Sequence, residues 1–275
     1  MFNQYLKVLK NKILKKDFRW IMSEIVAKIT FNKLELRIDR IIEKKRTQLG
    51  TKVSNIYNNS VQQGPFKGMI ISDHQFWGSG DKSSKILGLY EKEIQDLLVE
   101  IQKNKNYSTF IDIGGADGFF AIGSVVNKLF NNCEVFEVSK KGRNSIKINS
   151  KKNNVLGQIN INEKATKKSV LELENIGDAV ILCDIEGGEY ELFDEDFIDK
   201  VHPSELIIEI HKNKNKSLLE FENRFNKKYL LKKILQEPRS LKNFNELKNF
   251  NDNNRALLVS EGRSYIQEWW YLSPK

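Results

Sequence analysis

The chain has 275 residues, 45 of them Lys or Arg and 36 Asp or Glu, with a formal net charge of +9. That length suits one large α/β domain with an appendage, or two small domains. No apolar run approaches the roughly 20 residues that span a bilayer, and two cysteines, Cys133 and Cys183, are too few for a thiolate metal cluster.

The positive charge is concentrated. Residues 1–60 hold 14 Lys and Arg against 5 Asp and Glu, while the remaining 215 residues hold 31 of each. A main domain of zero net charge weighs against a broad nucleic-acid platform.

In chain order, residues 1–57 read as a basic helical extension. Phe2, Leu6, Leu9 and Ile13 fall at helical spacing, followed by Trp20, Met22, Ile25, Val26 and Ile29, then Leu34, Ile38, Ile41 and Ile42. Such a segment suits packing against the main domain or a second subunit, as in a homodimer joined through these helices. Docking on an anionic membrane surface and nucleic-acid binding are the weaker alternatives. Lysines interrupt its apolar positions, so it does not read as a secretory signal. A cytoplasmic protein is expected, with peripheral contact to the inner face of the membrane compatible.

Residues 58–84 are rich in Gly, Ser, Asn and Asp and read as a linker or lid, with a short strand candidate at 68–72. His74 and Trp77 lie in it and could close on a substrate. Residues 85–275 read as the main domain. An amphipathic helix is expected over 85–103, then strands near 108–113, 134–138, 158–162, 179–184 and 205–210, with helices including 117–131 and 141–152 between them. This alternation marks a largely parallel sheet. Two last strands, 255–261 and 268–275, are separated by only six residues, which predicts an antiparallel C-terminal hairpin.

The chemistry gathers at the ends of these strands. "FIDIGGADGFFAIG" (110–123) places Asp112 in an apolar strand, with Gly114, Gly115 and Gly118 after it, where backbone N–H groups can approach a ligand. Glu137 ends the next strand, placed to accept both hydroxyls of a ribose. The glycines do not follow G-x-G-x-x-G, so a nucleoside without a pyrophosphate fits better than a dinucleotide.

"ILCDIEGGEYELF" (181–193) crowds Asp184, Glu186 and Glu189 at a strand end, where a cation, a sulfonium or polar substrate groups would separate them. In "ELIIEIHK" (205–212), Glu209 and His211 point to one side of their strand, and a histidine near carboxylates can act as general base. Trp269 and Trp270 face opposite sides of the last strand. One is expected in the core, the other at the acceptor pocket or a subunit contact. Arg263 and Glu261 could orient the hairpin over the site.

Taken together, these blocks resemble the class I S-adenosylmethionine-dependent methyltransferases, and specifically the FkbM-type family with its Asp-x-Gly-Ala-x-x-Gly and Asp-x-Glu-Gly-x-Glu patterns. Gly115 departs from the usual Ala. The resemblance covers about residues 86–211 and implies a Rossmann-like fold with a mostly parallel seven-stranded sheet. It implies S-adenosylmethionine as cofactor, with Asp112, Gly114 and Gly118 at its methionine end, Glu137 on its ribose and Asp184 and Glu186 facing the sulfonium and the acceptor. By analogy within the fold, Tyr90 and Glu91 would close over the methionine moiety, while Glu163 and Ala165 would read the adenine.

The implied reaction is O-methylation of a sugar or sugar-like hydroxyl, a small-molecule or glycan acceptor, in surface polysaccharide or natural-product biosynthesis. His211 is the first candidate base, with Glu186 and Glu209 next. Asp184, Glu186 and Glu209 are the candidate ligands should Mg²⁺ assist. The competing reading is an RNA methyltransferase that uses the basic N-terminal arm.

Overall fold

The computed structural model describes residues 18–73, 79–212 and 215–275. Seven strands, β1 (Thr109–Ile113), β2 (Asn132–Phe136), β3 (Ile159–Asn162), β4 (Ala179–Cys183), β5 (Glu205–Glu209), β6 (Tyr229–Leu235) and β7 (Glu268–Pro274), form one sheet in the order β3-β2-β1-β4-β5-β7-β6. The first five are parallel, and β7 enters antiparallel between β5 and β6. This is the class I methyltransferase fold expected from the sequence. β1 and β4 are buried along their whole length, which explains why they read as unbroken apolar runs: helices cover both faces of a parallel sheet.

The helices of the sheet-bearing part are α2 (Lys82–Ile86), α3 (Lys92–Asn104), α4 (Phe119–Val126), α5 (Lys140–Lys152), α6 (Lys167–Leu171), α7 (Glu189–Leu192), α8 (Glu195–Val201), α9 (Leu218–Phe225) and α10 (Asp252–Val259), preceded by α1 (Phe18–Ile56). Their starts follow local chemistry. Ser139, Asp194 and Ser217 accept backbone N–H groups at the first turns of α5, α8 and α9, and Thr166 with Ser169 forms a capping box on α6.

The chain divides into two units, residues 1–45 and 46–275. In the first, Met22, Ile25, Ile29, Leu34, Ile38 and Ile41 are exposed on α1. The expected helix over residues 2–13 lies outside the described residues, as do His74 and Trp77. No helix among the described residues is long and apolar enough to cross a membrane. In the second unit, Leu49 and Val53 of α1 are buried with Val61, Phe66 and Met69, and Phe66 packs edge-on against Phe119 and Phe120. Residues 68–72 form only an isolated bridge, Ser60 with Ile70.

Two expectations are corrected. The partner of β7 in the C-terminal hairpin is β6, and the expected strand at 255–261 belongs mostly to α10, whose first turn Asn251 caps and whose Leu258 is fully buried. The helix expected over 85–103 is two helices, because Gly88 (φ +65°) and Glu91 (φ +42°) take left-handed conformations between them. Trp269 and Trp270 do face opposite sides, each in a different core layer, with Trp270 stacked on Phe221 at 5.5 Å.

Candidate functional site

The strand order reverses between β1 and β4, and the carboxyl ends of these strands open the crevice where open α/β sheets bind ligands. Gly114 follows β1 with φ +101°, and a Cβ there would lie 1.8 Å from the Asp184 carbonyl oxygen. Only glycine lets the two loops approach this closely. After β4, Glu186 (φ +53°) and Gly187 (φ +98°) form the turn that leads to α7.

Two adjoining cavities flank this contact. One, of about 650 Å³, is lined by Glu137, Glu163, Ala165 and Ile185 among others. The other, of about 300 Å³, is lined by Tyr90, Glu91, Asp112, Asp117, Glu209, His211 and Arg263 among others. Gly114, Ala116, Asp184 and Glu186 border both. The residues given a catalytic or cofactor-binding role from the sequence therefore line one cavity or the other, except Gly118. That glycine starts α4 in a left-handed conformation, outside both.

On the larger cavity, Glu137 is anchored at both carboxylate oxygens. Oε2 accepts the Ala116 N–H at 2.9 Å and Oε1 the Ser139 N–H at 2.6 Å. The Glu163 carboxylate is mostly exposed and pairs with Arg143 at 2.8 Å. On the smaller cavity, Tyr90 packs edge-on against Phe119 at 5.3 Å. Glu91 is buried and paired with Arg263, which also donates to Glu209 Oε1 at 2.9 Å.

Carboxylates dominate the electrostatics here. Burial, reinforced by the nearby Asp184, pushes Asp112 up to about 7. Burial likewise raises Glu91 to about 8 despite Arg263, and raises Asp184 and Glu209. Burial works against a charged His211, but Glu189, Asp184 and Glu186 outweigh it and hold the imidazole above its ordinary value. A histidine so placed is charged over more of the neutral range, which makes it a less available base than the sequence alone implies.

A pH dependence follows. Carboxyl groups raised in the folded state bind protons that the unfolded chain releases above about pH 4, and a raised histidine acts in the same direction. Their stabilisation is present at low pH and lost as pH rises through the folded values. In EDTA, Tm should fall by about 5 °C or more between about pH 5.5 and about pH 8.5. A Tm that rises over this interval contradicts the raised carboxyls.

Sequence reasoning missed several groups. Lys85 is buried, pairs with Asp117 at 3.2 Å and lies over the rings of Tyr90 and Phe119. It reads in sequence as an ordinary helix lysine. Arg239 ties Glu261 (3.0 Å) and Glu93 together. Arg263 and Glu261, joined at 3.2 Å, line the smaller cavity, but the hairpin of 255–261 and 268–275 that they were expected to orient does not form.

No protein-family model and no curated protein matches the chain. Among solved structures, TrmK of M. capricolum in complex with S-adenosylhomocysteine is 13% identical, with 65% of this chain and 66% of that one covered and a TM-score of 0.42. The m1A22 tRNA methyltransferase TrmK of B. subtilis is 15% identical, with 66% and 64% covered and a TM-score of 0.44. The METTL16 methyltransferase domain is 16% identical, with 67% and 66% covered and a TM-score of 0.45. The chain thus spans about two thirds of these chains, and at such identities the likeness concerns the fold. The methyltransferase class named for these neighbours and the cofactor product bound to M. capricolum TrmK are those expected from the sequence.

The resemblance to the FkbM-type family is overturned. No family model supports it, and several of the neighbours are named for tRNA methylation, as is TrmK of B. subtilis, and none of those described above for sugars. With it go the sugar or glycan acceptor, O-methylation in polysaccharide biosynthesis, and the weighing of nucleic acid as an improbable partner. The physical reason lies in the motifs themselves. The close approach at Gly114 and the turn at Glu186–Gly187 are backbone requirements of these loops, so the residues that meet them report the fold and leave the acceptor unspecified.

Proposed function

We propose that this chain is an S-adenosylmethionine-dependent methyltransferase whose acceptor is RNA. The observation that carries the cofactor is the pair of cavities joined at Gly114 and Asp184. Glu137, at the end of β2, suits the ribose hydroxyls. Glu163 and Ala165 suit the adenine, and Asp112, Tyr90 and Glu91 suit the methionine end. The buried Lys85 offers a cation to the cofactor's carboxylate. These assignments put the reactive methyl group near Asp184 and Glu186.

The acceptor atom attacks the methyl carbon in line with the departing sulfur; the carbon–sulfur bond breaks and S-adenosylhomocysteine leaves. The protein's contribution is alignment and charge placement. Where the acceptor atom carries a proton, Asp184, Glu186, Glu209 and His211 are the groups within reach to take it. RNA is favoured by the excess of 9 positive charges in residues 1–60, which suits phosphate contacts.

The test is incubation of the full chain with methyl-labelled S-adenosylmethionine and total bacterial RNA. The expected result is acid-precipitable label that ribonuclease releases, and its loss in Asp184→Asn. A protein that binds S-adenosylmethionine yet leaves total RNA unlabelled overturns the RNA assignment.

A further inference from the structure

At the ends of β4 and β5 one imidazole stands among four carboxylates. His211 Nε2 lies 3.6 Å from Asp184 Oδ1, 3.5 Å from Glu186 Oε2 and 3.8 Å from Glu209 Oε1. One ligand atom each from Asp184, Glu186 and His211 falls within 4.8 Å of the others. Donors adjacent on a six-coordinate ion with bonds of ~2.1 Å stand ~3 Å apart and opposite ones ~4.2 Å, so small side-chain movements suffice to close on an ion.

An acidic cluster alone would not make a site. Here a second observation points to a missing ligand: among the buried polar atoms of the described residues without a hydrogen-bond partner are Asp184 Oδ1 and Glu209 Oε2, both on residues that line the smaller cavity. Glu209 is 2% exposed, so bulk solvent does not reach it. Buried carboxyl oxygens without partners are costly, and one cation beside Asp184 and Glu209 addresses both at once.

The other side of the imidazole is already prepared. Glu189 Oε1 accepts the His211 backbone N–H at 3.0 Å and lies 3.5 Å from Nδ1. A buried carboxylate beside Nδ1 keeps the proton on that nitrogen and leaves Nε2 to bind the ion, which displaces the Nε2 proton, the arrangement that orients metal-binding histidines. Arg263 holds Glu209 in place from behind at 2.9 Å.

We infer that Asp184, Glu186 and His211 form a divalent-cation site, with Glu189 orienting the histidine and Glu209 completing the negative wall. Two carboxylates and one imidazole favour Mn²⁺ over Mg²⁺ and Ca²⁺, which prefer oxygen alone. The site stands on these side chains whether or not the chain transfers methyl groups. Within the pocket, the ion would lower the pKa of an acceptor group bound to it.

The experiment is an Mn²⁺ titration of the full chain, stripped with EDTA and desalted, followed by the loss of the free Mn²⁺ paramagnetic resonance signal, without cofactor or RNA. One Mn²⁺ per chain is expected, with binding about 10-fold weaker or worse in Glu186→Gln and in His211→Gln. Glu186 is exposed, so Glu186→Gln leaves folding intact, and circular dichroism checks both variants. The proposal is overturned if the folded wild-type chain takes up no Mn²⁺ at about 1 mM. It is equally overturned if both variants bind like wild type, or if Ca²⁺ competes as well as Mn²⁺, which would exclude a nitrogen ligand.

Discussion

Arg263→Met should lower the stability of the protein by about 3 kcal/mol, toward the lower end of the range for breaking a buried ion pair because the arginine is partly exposed. For the sheet-bearing part, that corresponds to a fall in Tm of about 6–12 °C. Arg263 bonds to Glu91 and Glu209, whose side chains are 5% and 2% exposed, and to Glu261. Removing the guanidinium leaves Glu91 without a cation and Glu209 with only His211, at 3.8 Å, whereas Glu261 keeps Arg239 at 3.0 Å. Glu91 sheds its proton only near pH 8 even beside Arg263, so the loss should grow above that pH and shrink toward pH 5. Arg263→Lys should recover part of it, since a lysine keeps the charge but not the fork that spans the acids. Urea denaturation at neutral pH measures the effect; a loss below about 1 kcal/mol would mean that the bonds contribute little net stability.

Much of the site was legible because its residues terminate strands that sequence marks clearly. β1, β4 and β5 are buried on both faces and carry no solvent-facing alternation, so Asp112, Asp184, Glu209 and His211 stand out as polar groups at the ends of apolar runs. β6 was not legible. It is an edge strand with Leu230, Lys232, Lys233 and Leu235 exposed, and edge lysines that discourage further pairing also erase the apolar signal. "RALLVSE" (255–261) shows the converse: a short apolar run does not distinguish strand from helix, and the Asn251 cap decides for helix.

The Arg263–Glu91 pair joins residues 172 positions apart, and Lys85 meets Asp117 across 32. Such contacts follow from topology, and no local spacing announces them. The acceptor was the least legible feature. The motifs that suggested one are accounted for by the backbone geometry of their own loops.

Glu137→Ala should weaken S-adenosylhomocysteine binding by about 100-fold. Its carboxylate already accepts the Ala116 and Ser139 N–H groups, which fixes it at the end of β2 with acceptor capacity left toward the larger cavity. Two ribose hydroxyls bonded to a fixed carboxylate are worth about 1.5–3 kcal/mol each, and part of that is offset by water in the variant. Ala116 (φ +47°) also loses the acceptor that steadies its turn, so the glycine loop should loosen along with the lost ribose contact. Glu137→Gln should fall between the two, because it keeps one acceptor oxygen.

The measurement to make is calorimetric titration of the full chain with S-adenosylhomocysteine, wild type beside Glu137→Ala. Micromolar binding in the wild type, reduced about 100-fold in a variant with unchanged circular dichroism, is the predicted result. A folded wild-type chain that binds neither S-adenosylhomocysteine nor S-adenosylmethionine would contradict the cofactor site, and the methyl-transfer reading with it.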